Sequence, residues 1–335
     1  MRVKRRELLA GMAFGTAFAA GNAYLWNMAE ETAPEVYGDN ALGEADSFRG
    51  MPNDELLMVD SEAPIAMPEM GMVDRSIAGD SNSSAQAVQQ QSTSAEASTS
   101  IEERVRNFEN DFSDDIFLAE SEWPLLESVV LRLQRTQRVV GHGHFNVLDF
   151  DQLLLYARSY NSIGEFTKQE LDFVEKIFFT HASEYGFMGS KVTDQLTAQI
   201  PGAEIVKIPY SGHYLFKGES LNYYEKLKRD IGPSVILTSG IRSNVKQLHL
   251  FLSKASASGY NLSKASRSLA PPGHSYHGIG DFDVGRVGWG AENFTNQFAR
   301  TDEFKRMQDL GYVQIRYTED NRLGVRFEPW HIKVV

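Results

Sequence analysis

The chain has 335 residues, of which 42% are hydrophobic and 11% aromatic, and its formal net charge is −12. These proportions are sufficient for a large apolar core, so we expect a mostly globular protein. The chain contains no cysteine, which excludes disulfide frameworks, thiolate nucleophiles and cysteine-ligated zinc sites.

The negative charge is concentrated in one segment. Residues 28–100 carry 14 acidic and 2 basic side chains, whereas residues 101–335 carry 30 acidic and 27 basic side chains. The globular part is therefore close to neutral and has no basic surplus with which to follow a phosphate backbone. We expect no nucleic-acid partner.

Residues 1–27 have the layout of an export signal. A basic start with an arginine pair at positions 5 and 6 precedes a moderately apolar run interrupted by glycine, which resembles the twin-arginine type. Gly21-Asn22-Ala23 fits a cleavage site, while Leu8 to Trp26 is long enough to remain as a membrane anchor. We expect an exported protein of the bacterial periplasm or cell envelope.

Residues 28–100 are acidic and rich in serine, glutamine and alanine, and they end in SNSSAQAVQQQSTSAEASTS. Such a segment cannot bury enough apolar surface to offset its conformational entropy. We therefore predict a disordered tether between the export signal and the globular part.

Residues 101–195 are predicted to form a helical lobe. Apolar side chains recur every three or four residues, as at Leu126, Val129 and Leu133. Thr167 and Glu170 form the sequence signature of a capping box at the start of a further helix.

Residues 196–335 mix short β-type runs with helical pattern. The runs are Val235–Thr238, Tyr312–Tyr317 and Gly324–Phe327, and a helix is predicted from about Asn244 to Ser258. The strands and helices do not alternate regularly. We therefore predict an α+β fold, with a small antiparallel sheet and flanking helices in this segment and the helical lobe before it.

Two short stretches concentrate side chains that bind metals. Residues 273–285, GHSYHGIGDFDVG, contain two histidines and two aspartates, and the tail FEPWHIKVV contains Glu328 and His331. On a regular strand an offset of three residues points two side chains to opposite faces. Pro329 lies between them and favours an irregular backbone, which can turn both side chains toward one point.

A catalytic zinc site needs three protein ligands, an open position and a nearby general base. His277, His331 and one aspartate of the glycine-rich stretch meet the first requirement, and Glu328 meets the last. Asp281 and Asp283 fall on the same face of an extended segment, so this geometry allows either one as the ligand.

The order of these motifs resembles a known family. Ser275-Tyr276-His277 with Gly280, and Glu328-Pro329-Trp330-His331, are similar to the motifs of zinc D-alanyl-D-alanine carboxypeptidases of the vancomycin-resistance type, grouped with lysostaphin-like and hedgehog-like domains. Ser239-Gly240-Ile241-Arg242-Ser243 resembles a third motif of that family, with Ile241 where an aromatic residue is usual. The resemblance covers about residues 200–335.

The resemblance implies a site and a function. A zinc ion would be held by His277, Asp283 and His331, Glu328 would be the general base, Arg242 would stabilise the oxyanion, and Arg242, Ser275 and Gln247 would bind substrate. The substrates would be peptidoglycan stem peptides, with the terminal D-Ala-D-Ala bond as the expected target. Asp283 is favoured over Asp281 by the hydrophobic residue and glycine that follow it, although it lies six residues after His277 where the family has seven.

Four alternatives remain, one of which is an interaction or scaffold protein that works through the helical lobe and the acidic tether. The same fold can belong to an endopeptidase that cuts within the stem, and the unusual aspartate spacing fits an inactive peptidoglycan-binding module. Ser243 and Lys246 spell the S-x-x-K motif of serine carboxypeptidases, but the K-T-G element that those enzymes need is absent from the sequence.

Overall fold

The structure is a computed structural model that describes residues 101–335. The predicted export signal and tether lie outside the described residues and stay predictions. The boundaries predicted between the four segments of the chain also stay predictions. Within residues 101–335, every helix is too short or too polar to cross a bilayer.

The first half of the described chain is helical. Thr167 and Glu170 form the expected capping box, in which each side chain accepts a hydrogen bond from the other residue's backbone N–H, at 3.2 and 2.6 Å. Residues 101–106 are helical, and they are followed by α1 (Trp123–Val140), α2 (His142–Phe145), α3 (Phe150–Ser159) and α4 (Lys168–Phe179).

The second half combines helices with two small antiparallel sheets, which confirms the predicted α+β class. The helices are α5 (Glu219–Ile231), α6 (Asn244–Ala257), α7 (Leu262–Ser268) and α8 (Asp302–Asp309). The strands are β1 (Ile205–Lys207), β2 (Tyr214–Phe216), β3 (Val235–Ser239), β4 (Phe282–Arg286), β5 (Ile315–Tyr317) and β6 (Glu328–Ile332). β1 and β2 form a hairpin, and the other four form a sheet in the order β3-β4-β6-β5.

The β-type run at Gly324–Phe327 is not a strand, so this prediction was wrong. Gly324 has a φ of 82°, which breaks an extended backbone at the start of the run. The next peptide groups bond outside the sheet: Arg326 N–H donates to the carbonyl of Arg267, and the Val325 carbonyl accepts from the side chain of Asn321. The strand begins only at Glu328.

Two apolar cores flank helix α6 and the main sheet. The first joins the helical half to α6, whose Val245, Leu248, Phe251 and Leu252 are all fully buried in it. The second lies under the sheet and includes Phe282 of β4 and Trp330 of β6. Helix α6 is therefore anchored along its length, and its N-terminus is fixed beside the end of β3.

The segment that precedes α1 is tied to α7 by a buried ion pair. Arg267 donates two hydrogen bonds to the carboxylate of Asp115, at 2.7 and 2.9 Å, and the Asp115 side chain is completely buried. Phe117 forms an isolated bridge with Asn261 just before α7. Residues near 115 are thereby held against the second half of the chain.

The β1–β2 hairpin closely approaches the segment that follows β3. Ile241 N–H donates to the carbonyl of Tyr214 at 2.9 Å. A Cβ atom built on Gly240 would overlap that same carbonyl oxygen, so the contact requires glycine at this position.

Replacing Gly240 by alanine is expected to lower the free energy of unfolding by about 1–3 kcal/mol, because the added methyl group must push the hairpin away. Urea denaturation checks this value. Gly202→Ala is the control, since a Cβ at Gly202 meets no atom within 4 Å. Equal stability losses in the two variants would contradict the prediction.

Candidate metal centre

Three of the predicted ligands meet at one point of the sheet. His277, Asp283 and His331 each offer a ligand atom, and these atoms all lie within 4.8 Å of one another. All three residues are at least 97% buried. Among residues 101–335, this is the group of histidines and carboxylates with the geometry to hold a metal ion.

Strand pairing places two of these side chains. Asp283 of β4 lies directly opposite His331 of β6 in the antiparallel register, and Phe282 lies opposite Ile332. Side chains directly opposite each other on one face of a sheet are close neighbours. The Asp283 Oδ1 atom consequently lies 3.4 Å from Nδ1 of His331.

The third side chain, His277, is held by a turn. It belongs to a short 3-10 helix, Tyr276–Gly278, that precedes β4. Its Nδ1 atom lies 2.8 Å from the carbonyl oxygen of Gly240, which can only accept a hydrogen bond. Nδ1 therefore carries the hydrogen, and Nε2 keeps its lone pair and lies 3.3 Å from Asp283 Oδ1.

Glu328 reaches the same point because of an irregular register between β5 and β6. Ile315 pairs with Ile332 and Tyr317 pairs with Glu328, so β6 uses two more residues than β5 over this distance. Such an insertion redirects side chains. Glu328 Oε2 lies 3.5 Å from His331 Nδ1, even though the two residues are three apart on one strand.

The predicted substrate-binding residues meet at a cavity beside this group. Arg242, Ser275 and Gln247 all line it, together with Asn244 and Ile279. The guanidinium of Arg242 donates to Asp283 Oδ2 at 2.5 Å and to the hydroxyl of Ser239 at 2.9 Å. Arg242 thus lines the cavity and also contacts Asp283, one of the three candidate metal ligands.

Gln247 shows an unused hydrogen-bond acceptor. Its amide nitrogen donates to the carbonyl of Ala270 at 2.6 Å, while its oxygen is buried and has no hydrogen-bond partner in the described chain. A buried acceptor without a partner is costly unless a ligand or water satisfies it. The side chain therefore has one group available for a molecule in the cavity.

The donor set fits a divalent metal ion. Two buried atoms of the group, Nε2 of His277 and Oδ1 of Asp283, have no hydrogen-bond partner among the described residues. Unsatisfied buried imidazole and carboxylate atoms facing one another are what a bound cation would satisfy. Two imidazoles and one carboxylate are ligands typical of zinc and similar ions.

Asp281, the alternative carboxylate, is outside this group. Its side chain receives two hydrogen bonds from Arg316, at 2.7 and 3.0 Å, and lies 3.1 Å from Nε2 of His331. Sequence reasoning did not single out Arg316. The available signal was an arginine within the β-type run Tyr312–Tyr317. A strand seldom buries an arginine unless an acidic side chain pairs with it.

The other histidine of the glycine-rich stretch, His274, also lies outside the group. Its ring packs edge-on against Phe187, with the ring centroids 5.5 Å apart. Its Nδ1 atom lies 3.2 Å from the carbonyl oxygen of Pro272.

The surroundings of the group shift the pKa values of its two histidines in opposite directions. Burial, and next the charge of Arg242, lower the pKa of His277. Burial also disfavours protonation of His331, but hydrogen bonds with Asp281 and Glu328 and two negative aspartates outweigh it and raise the pKa of His331 to about 9. Burial raises the pKa of Asp283, yet the charges of His277 and Arg242 bring it well below its usual range.

The comparisons with known proteins agree with the motifs. Residues 219–335 match the family model described as VanY, D-alanyl-D-alanine carboxypeptidase. The family resemblance expected from the motifs is thereby confirmed for this segment, and the family is one of hydrolytic peptidases. No curated protein sequence matches the chain.

Several solved structures are similar to part of the chain. An LdcB LD-carboxypeptidase structure, described as revealing peptidoglycan recognition, has 25% identity, covers 41% of this chain and 70% of its own, and gives a TM-score of 0.35. A Zn(II) complex of a mutant vancomycin-resistance D,D-pentapeptidase VanY has 25% identity, coverages of 39% and 78%, and a TM-score of 0.31. VanYB in complex with D-alanine-D-alanine has 23% identity, coverages of 44% and 82%, and a TM-score of 0.32. The similarity to this family lies in residues 219–335 and their motifs.

Binding of a divalent ion is expected to release about one proton at pH 7, because His331 is protonated below about pH 9 and must be neutral as a ligand. His277 and Asp283, whose pKa values are lowered, release none. Apparent affinity should then rise about tenfold per pH unit between pH 6.5 and 8. Titration calorimetry in buffers of different ionisation enthalpy measures the proton, and heats independent of the buffer would contradict the prediction.

The same shift sets the pH dependence of the metal-free protein. Since the folded-state pKa of His331 exceeds its ordinary value of 6.5, protonated His331 stabilises the fold fully below about pH 6.5. This contribution is lost as the pH rises through about 9. Thermal unfolding of the metal-free chain should show this decline, and His331→Gln should remove it.

Proposed function

We propose that the protein is an exported zinc peptidase that hydrolyses the peptide stems of the bacterial cell wall, acting as a D,D-carboxypeptidase on the terminal D-Ala-D-Ala bond. The observation that carries the proposal is the meeting of His277, Asp283 and His331 with Glu328 and Arg242 at one buried point beside a cavity. The match of residues 219–335 to a carboxypeptidase family supports the choice of substrate. Export is proposed from the pattern of residues 1–27 alone.

Each of the three ligands has one suitable atom directed at the others. His277 offers Nε2, because its Nδ1 faces the Gly240 carbonyl. Asp283 offers Oδ1, because its Oδ2 is paired with Arg242. His331 offers Nδ1, the nitrogen nearer to Asp283 and Glu328. Zinc bound here supplies a Lewis acid that polarises the scissile carbonyl and acidifies a water molecule.

Glu328 is the proposed general base. Its side chain is only 10% exposed and lies beside the ligands without belonging to their closest group. From this position it accepts a proton from the attacking water and delivers it to the nitrogen of the leaving amino acid. The positive charge of Arg326 lies next to the other carboxylate oxygen, since Arg326 Nε is 3.6 Å from Glu328 Oε1.

Arg242 and the cavity are proposed to orient the substrate. A guanidinium forms directed hydrogen bonds with carbonyl and carboxylate oxygens, and Arg242 lies at the boundary between the ligands and the cavity. It stabilises the negative charge that develops on the scissile carbonyl oxygen. Ser275 and the unpaired oxygen of Gln247 supply further polar contacts for the peptide.

The deciding experiment incubates the zinc-loaded protein with defined muropeptides and measures the product masses. Loss of one terminal alanine from pentapeptide stems supports the D,D-carboxypeptidase. Cleavage inside the stem would indicate an endopeptidase instead. Zinc binding and muropeptide binding without any hydrolysis would indicate the inactive binding module.

Glu328→Gln is expected to lower kcat by about 10²–10⁴-fold while zinc affinity stays within a few fold, because the amide keeps the volume but cannot accept the proton. Hydrolysis rates and zinc titrations measure the two quantities. Glu319→Gln is the control, since Glu319 is exposed and lies nine residues earlier. A Glu328→Gln variant with unchanged kcat would exclude this residue as the base.

Arg242→Lys is expected to lower kcat/KM by about 10²–10³-fold, because lysine keeps the charge but loses the guanidinium fork. The exposed Arg306 of α8 gives the matched control Arg306→Lys. Steady-state kinetics on a pentapeptide stem make the comparison. Similar kcat/KM values for both variants would show that the role of Arg242 is only structural.

A further inference from the structure

Asp281 is a buried carboxylate with both oxygens in use. Arg316 donates from Nε to Oδ2 at 2.7 Å and from Nη2 to Oδ1 at 3.0 Å. The backbone N–H groups of Val334 and Val335 donate to Oδ1, at 2.8 and 3.3 Å. Oδ2 also lies 3.1 Å from Nε2 of His331. The Asp281 side chain is completely buried, so its ionised form depends on these partners.

The contact with Asp281 determines which nitrogen of His331 is free. A carboxylate can only accept, so in neutral His331 the hydrogen resides on Nε2 and the lone pair on Nδ1. Nδ1 is the nitrogen that lies 3.4 Å from Asp283 Oδ1 and 3.5 Å from Glu328 Oε2. The lone pair therefore points toward the other ligands.

Arg316 connects this carboxylate to the loop that carries His277. Its guanidinium carbon lies 4.0 Å from the ring centroid of Tyr276, the residue before His277. The side chain of Arg316, on β5, is only 11% exposed. The pair of Arg316 and Asp281 thus touches the surroundings of both histidine ligands.

We propose that Asp281 is a positioning residue that fixes the ring orientation and tautomer of His331, so that Nδ1 faces the metal, and that Arg316 holds Asp281 in place for this task. The inference rests on the proposed zinc site. Asp281 is not a ligand, because its two oxygens are already occupied by Arg316, by backbone N–H groups and by the histidine. Loss of such an outer partner of a metal-bound histidine commonly lowers metal affinity about 10–100-fold.

The test compares variants of the full chain by zinc competition against a chelator over a range of pH, and each affinity is corrected for the proton that His331 releases. Asp281→Ala is expected to weaken zinc binding by about 10–100-fold, and the isosteric Asp281→Asn by less, because the amide oxygen still accepts from Nε2. Asp115→Ala is the matched control, since Asp115 forms an equally buried pair with Arg267 away from the metal site. It should lower the melting temperature and leave zinc affinity unchanged.

Two outcomes of this comparison overturn the proposal. One is a less than fivefold change of affinity in Asp281→Ala and in Asp281→Asn. The other is complete loss of zinc binding in Asp281→Ala together with retained binding in Asp283→Ala, which would make Asp281 the ligand.

A measurement on the unmodified chain tests the predicted tautomer of His331 even if Asp281→Ala does not fold. In the zinc-loaded protein, imidazole ¹⁵N shifts should show His331 bound through Nδ1 with a hydrogen on Nε2, and His277 with the opposite arrangement. His331 bound through Nε2, or a chain that binds no zinc, overturns the proposal. Zinc binding with these shifts but without muropeptide hydrolysis would reject the proposed function and leave the role of Asp281 supported.

Discussion

The antiparallel pairing of β4 with β6 is the constraint on which the candidate site depends. It sets Asp283 directly opposite His331, so two candidate metal ligands from distant parts of the sequence become neighbours through backbone hydrogen bonds. A slip of one residue would turn one of them to the other face of the sheet. The register is protected because Phe282 and Ile332, also opposite each other, are fully buried in the core beneath.

Around this pair, each candidate metal ligand is restrained on the side away from the others. His277 is held by the carbonyl of Gly240, Asp283 by Arg242, and His331 by Asp281. Buried polar groups are stable only when such partners exist, and the same partners limit side-chain rotation. The centre is therefore organised by contacts within the chain before any ligand arrives, which is how proteins lower the entropic cost of binding.

The motifs indicated which residues form the candidate site, but they did not indicate which hydrogen bonds join those residues. His277, His331 and Glu328 were candidates because of their residue types and spacing, and Arg242 was a candidate because of the family resemblance; the structure brings the four side chains close together. The choice between Asp281 and Asp283 was left to a family pattern, because both fall on one face of an extended segment and their partners, Arg316 for Asp281 and Arg242 for Asp283, come from other parts of the fold. The acceptor for His277 is a backbone carbonyl, which has no signature in side-chain sequence. The strand expected at Gly324–Phe327 failed for a similar reason, since the positive φ of Gly324 and its tertiary contacts override local β propensity.

Helix α6 belongs to both halves of the described chain. Its buried face completes the core of the helical half, while its capping residue Ser243 directly follows Arg242. A fragment trimmed to residues 219–335 would leave that face exposed to water, with Val245, Leu248, Phe251 and Leu252 uncovered. The helices that precede residue 219 therefore belong to the packing that supports α6, and through α6 they support the position of Arg242.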